Sequence, residues 1–115
     1  LKEYSDISHI KIDFNYEWGD ANFQKTTENI IFRVIEETVT NSLRHGHATK
    51  IWIKCTSNNS SYILSIHNNG KSETHIKPGY GITQMRERLT IINGTVEFDG
   101  KKGFTTVVKF PKVGV

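Results

Sequence analysis

Glu37, Asn41 and His45 are the residues of this 115-residue chain whose types and spacing best suit chemistry. They fall at i, i+4 and i+8 within IIFRVIEETVTNSLRH, residues 30–45, so on a helix they stand one above another along a single edge. A carboxylate there can act as a base, and an amide oxygen is a hard ligand suited to a divalent cation such as Mg²⁺. Stepping about 100° per residue puts Ile30, Ile31, Val34, Ile35, Thr38, Val39, Ser42 and Leu43 on one broad, mostly apolar arc, with Arg33, Glu36 and Thr40 opposite. The three polar residues line the edge of that arc, in a half-buried place where an unpartnered polar group costs about 1–3 kcal/mol. Two arrangements would satisfy them. One is a hydrogen-bonded structural pair; the other is a metal and nucleotide site with Asn41 on the cation and Glu37 as base.

The elements that must position these residues follow from the pattern around them. Residues 9–16, HIKIDFNY, alternate, with Ile10, Ile12, Phe14 and Tyr16 on one face, which predicts a half-buried strand. EWGDANF turns the chain, Thr26 or Thr27 is placed to cap the long helix, and His45-Gly46 ends it. Ile51, Ile53 and Cys55 alternate over 49–56, Tyr62, Leu64 and Ile66 over 62–66, and the SNNS between them predicts a hairpin. A polar, glycine-bearing connection, HNNGKSETHIKPGYG, is long enough to carry function. Ile82, Met85, Leu89 and Ile92 then recur at helical steps over 81–92, with Arg86, Glu87 and Arg88 facing out, the two arginines as a solvated or salt-bridging face, and Asn93-Gly94 as the stop. TVEF and FTTVVKF, joined across DGKKG and closed by Pro111, predict a second hairpin. The order strand, helix, two strands, helix, two strands fits an α/β class: a two-layer α/β sandwich of mixed, mostly antiparallel sheet with its helices on one face.

Composition narrows the class. With 36% apolar and 23% charged residues and no repeats, residues 1–115 read as one domain. No apolar run approaches the roughly 20 residues of a membrane span, LKEYSDISH lacks the shape of a signal peptide, and the single cysteine fits a reducing, cytoplasmic setting. The net charge of +3 is scattered rather than striped, which argues against nucleic acid as a partner.

Taken together, the helix, the glycine loop and the tail resemble the ATP-binding catalytic domain of a bacterial sensor histidine kinase, of the class paired with helix-turn-helix response regulators. The wider ATPase superfamily includes gyrase, MutL and the heat-shock chaperones. The resemblance runs over residues 30–111: IEETVTNSLRHGHA is similar to the family's N-box, IHNNGK to its first glycine box, GYGITQMRERL to its second, and GFTTVVKFP to its closing strand. It implies the Bergerat-type fold, ATP and Mg²⁺ as cofactors, Asn41 as the Mg²⁺ ligand and Glu37 as the catalytic acidic residue. It further implies nucleotide contacts from His45, Asn68, Gly70, Gly79, Gly81 and Thr106. The family's phosphorylated histidine lies on an upstream dimerisation domain, so the implied partners are that domain and a response regulator. Direct membrane contact by this stretch is not implied, although the whole sensor would be membrane-anchored. A nucleotide-sensing or protein-binding module without transfer, or a stand-alone serine kinase like the anti-sigma-factor kinases, are the alternatives.

One departure bears on specificity. The family's first glycine box carries an aspartate that accepts a hydrogen bond from the adenine amino group; here Asn68 stands in its place, and Ser72 replaces the box's second glycine. An amide is a weaker acceptor, and it can also turn its NH₂ toward a guanine oxygen, so poorer discrimination against GTP than in relatives with aspartate is expected.

Overall fold

Alternation and helical periodicity become five strands and two helices in a computed structural model that describes residues 10–44, 47–70 and 81–112. In chain order these are β1 (Lys11–Tyr16), α1 (Lys25–Arg44), β2 (Lys50–Ser57), β3 (Ser61–Asn68), α2 (Ile82–Thr90), β4 (Thr95–Asp99) and β5 (Phe104–Pro111). The strands form one sheet in the order β1-β2-β3-β5-β4. Both hairpins pair antiparallel as expected, β3 pairs antiparallel with β5, and β1 joins β2 in parallel, which makes the sheet mixed. The helices pack on one face, giving the two-layer α/β sandwich.

The core lies between that face and α1. Ile30, Ile31, Val34 and Val39 of the helix are buried over Ile51, Ile53, Leu64, Ile66, Val108 and Phe110 of the sheet. Registers Ile53↔Ile66 and Leu64↔Val108 align the apolar rows of the three inner strands, so one row of period-two residues forms a continuous floor. At the end of the sheet near the start of α1, Trp18, Phe23, Tyr62 and Phe110 meet edge to face, and Trp18 Nε1 donates to Thr56 O at 2.6 Å. The opposite end of the same floor is polar. There Asn68 faces Phe104 across β3 and β5, with Thr106 one pleat further along on the same face.

Two local expectations are corrected. Helix α1 begins at Lys25, its first backbone bond running from Glu28 N to Gln24 O, so neither Thr26 nor Thr27 caps it. Thr27 is instead buried inside its first turn. The β1 face is buried only at its start: Phe14 is 46% and Tyr16 49% exposed, because they lie on an edge strand along an open groove shared with Ile31, Phe32 and Ile35 of α1. Arg88, expected on a solvated or salt-bridging face, forms a salt bridge, turning toward α1. The stop after α2 is as expected, with Asn93 in the left-handed region at φ 56° and Gly94 N donating to Leu89 O at 2.7 Å. The end of α1 at His45-Gly46 lies outside the described residues.

Candidate functional site

The second half of α1 passes over the polar end of the sheet, and three of its side chains reach down or across. Ser42 Oγ donates to Thr38 O at 2.9 Å, one helical turn back, and its oxygen accepts from Asn68 Nδ2 at 2.9 Å. The other end of that amide, Oδ1, accepts from Gly70 N at 2.9 Å. A backbone N–H can only donate, so the oxygen of Asn68 must face Gly70, and the NH₂ is left for Ser42. The amide is therefore held at both ends. It is also buried, as are Ser42 and Thr38.

Glu37, one turn before Asn41, faces the start of α2. Its Oε1 lies 2.7 Å from Arg88 Nη1, with about a quarter of each side chain exposed. Its other oxygen rests against Gly81, where an added Cβ would sit 2.8 Å from Oε2. Gly81 occupies the N-cap of α2 in the left-handed region, φ 72°, a conformation that glycine adopts without strain. The residue thus supplies both a turn into the helix and room for a carboxylate. Asn41 is half-buried on the same edge of α1.

Three oxygens in this region are buried without a hydrogen-bond partner among the described residues: Glu37 Oε2, Thr38 Oγ1 and Thr106 Oγ1. Native interiors rarely leave such groups unpaired, at about 1–3 kcal/mol each. Two of them stand on α1 and one on the sheet.

Of the residues expected at a site, the structure brings Glu37 to Gly81 and Asn68 to Gly70, and puts Thr106 beside Asn68 on the inner face. His45 and Gly79 lie outside the described residues. Ser42, Thr38 and Arg88 belong to the constellation but were not singled out from sequence. The signal for the first two was present: two hydroxyl residues four apart within an otherwise apolar arc. Among the described residues no helix is long and apolar enough to cross a membrane.

No family model matches the chain. It is 31% identical over 83 residues to the sensor protein VraS of Staphylococcus aureus, covering 70% of this chain and 24% of VraS. It is 30% identical over 101 residues to the sensor histidine kinase LiaS of Bacillus subtilis, covering 85% of this chain and 28% of LiaS. The chain therefore spans less than a third of the length of these curated relatives. The solved catalytic domain of the histidine kinase ThkA superposes with a TM-score of 0.77 over 96% of this chain and 84% of that one, at 18% identity, a likeness of fold. In sequence and in fold, the chain is homologous to the catalytic domains of bacterial sensor histidine kinases and shares their Bergerat-type sandwich.

Proposed function

We propose that residues 1–115 form one domain that binds Mg-ATP between α1 and the polar end of the sheet and serves as the catalytic part of a two-component sensor histidine kinase. The observation that carries this reading is the set of three buried, unpartnered oxygens on Glu37, Thr38 and Thr106, in a chain homologous to the catalytic domains of sensor histidine kinases. Mg-ATP, when bound, supplies a transferable phosphoryl group and the cation that offsets its charge. Asn41 would hold the Mg²⁺ through its amide oxygen. Asn68 and Thr106 would hold the base. Gly70, Gly79 and Gly81 would let the backbone come close to the phosphates, and N–H groups at the start of α2 would favour negative charge there. His45, a turn beyond Asn41, would add a phosphate contact. Glu37 would accept the proton of the attacking group, a histidine on a dimerisation domain of the whole protein, and the phosphoryl group would pass on to a response regulator of the helix-turn-helix class. On this reading the domain works in the cytoplasm.

The test is a titration of the chain with a fluorescent ATP analogue, with and without Mg²⁺, on the wild type and on Asn41→Ala. Saturable, Mg²⁺-strengthened binding that Asn41→Ala weakens at unchanged thermal midpoint is expected. Absence of saturable binding in the wild type overturns the proposal.

A further inference from the structure

We infer that Ser42 acts as a positioning residue for base recognition, holding the Asn68 amide in one orientation so that the site selects one purine rather than accepting both. The inference rests on the nucleotide-binding reading above and goes beyond it to the base. Adenine presents a donor at its 6-position and an acceptor at N1; guanine presents an acceptor and a donor in those places. An amide free to turn can answer either order. The Asn68 amide is not free to turn.

Its two partners oppose rotation for separate reasons. Reversal would put Nδ2 against Gly70 N, donor against donor. It would also put Oδ1 against the Ser42 oxygen, which could answer with its proton only by giving up its bond to Thr38 O. The Ser42 contact is buried, where water does not relieve the mismatch, and the Gly70 contact is part-buried. By inventory one N–H and one lone pair of the amide remain for a ligand. Their order is set by the protein. The unpartnered hydroxyls of Thr38 and Thr106 either donate or accept, so they add affinity without reversing that choice.

Competition of ATP and of GTP against a fluorescent nucleotide, on the wild type, Ser42→Ala, Asn68→Asp and the double variant, tests this. Expected are a clear preference for ATP in the wild type and a loss of about tenfold in that preference in Ser42→Ala, since one of the two barriers to reversal is gone. Asn68→Asp keeps the preference, because a carboxylate accepts at both ends and has nothing to reverse. Adding Ser42→Ala to it then changes the ratio little. Ser42→Cys, close in size but a poor acceptor, shifts the ratio in the same direction as alanine and serves if Ser42→Ala does not fold. Equal binding of ATP and GTP by the wild type, an unchanged ratio in the Ser42 variants, or the same change in both backgrounds overturns the inference. If no nucleotide binds the wild type, the functional reading itself fails.

Discussion

Arg88 Nη1 lies 2.7 Å from Glu37 Oε1, tying the last turn of α2 to the middle of α1. The contact reaches across 51 residues, and the carboxylate it holds is the one assigned the role of base. With both side chains only about a quarter exposed, removing one partner leaves the other poorly solvated. Arg88→Ala is expected to cost about 1 kcal/mol, after allowance for solvent screening, and to lower the thermal midpoint by several degrees. In a Glu37→Gln background the same substitution should cost clearly less. Equal losses in both backgrounds, measured by thermal melts, would show that the pair does not act as one.

Gly81 tests the same carboxylate from the other side. Alanine there bears the strain of a positive φ, about 1–2 kcal/mol, and also drives its Cβ against Glu37 Oε2 at 2.8 Å. The second cost vanishes if Glu37 is shortened. Gly81→Ala should therefore destabilise the wild type more than it destabilises Glu37→Ala, with the difference read from denaturant midpoints. Identical costs would place the carboxylate elsewhere in solution.

Much of this arrangement was legible in the sequence, and the reasons for the gaps are physical. The 3.6-residue period of α1 marked Ile30, Ile31, Val34 and Val39 as core, and period-two alternation marked Ile51, Ile53, Leu64 and Ile66, because those patterns report which face is covered. Periodicity does not say how far the cover extends. Phe14 and Tyr16 keep the alternation of a half-buried strand, yet they are exposed on the sheet's edge, along an open groove beside Ile31, Phe32 and Ile35 of α1. Nor does it name partners: Arg88 sat on the polar side of its helix, and only the packing of α2 beside α1 shows that Glu37 is within its reach. Asn68 was recognised as a departure from the family's aspartate, but its locked amide depends on Gly70 and Ser42, brought together by folding.

Cys55 gives a pH signature to the core. Its thiol is buried under the sheet's inner face, and burial, which disfavours the thiolate, raises its pKa from 9.0 to about 11. The folded state thus keeps a proton that the unfolded chain releases. Its contribution is fully present below about pH 9 and is lost as pH rises toward 11, a change on the order of 2 kcal/mol. Unfolding free energy measured at pH 8 and pH 10.5 should fall by less in Cys55→Ala than in the wild type, once the alanine's constant packing loss is subtracted. Parallel declines in the two proteins would mean that the thiol ionises alike in both states.

Gly103 and Gly19 form a matched comparison, because both lie in the left-handed region, φ 71° and 62°, and differ in what surrounds them. A Cβ at Gly19 would meet nothing within 4 Å, so Gly19→Ala bears only the conformational term, about 1–2 kcal/mol. A Cβ at Gly103 would overlap the carbonyl oxygen of Asn68. That oxygen belongs to the backbone of β3, which is bonded to β2 on one side and β5 on the other, so it cannot swing aside as a side chain would. The strand end must shift or the turn into β5 must open. Gly103→Ala is accordingly expected to cost several kcal/mol, more than Gly19→Ala, by denaturant unfolding. Because the displaced backbone carries the Asn68 amide, any folded Gly103→Ala protein should also bind nucleotide more weakly, while Gly19→Ala, beside the aromatic end of the core, should bind as the wild type does. Equal destabilisation by the two alanines would mean that the turn before β5 does not press on Asn68.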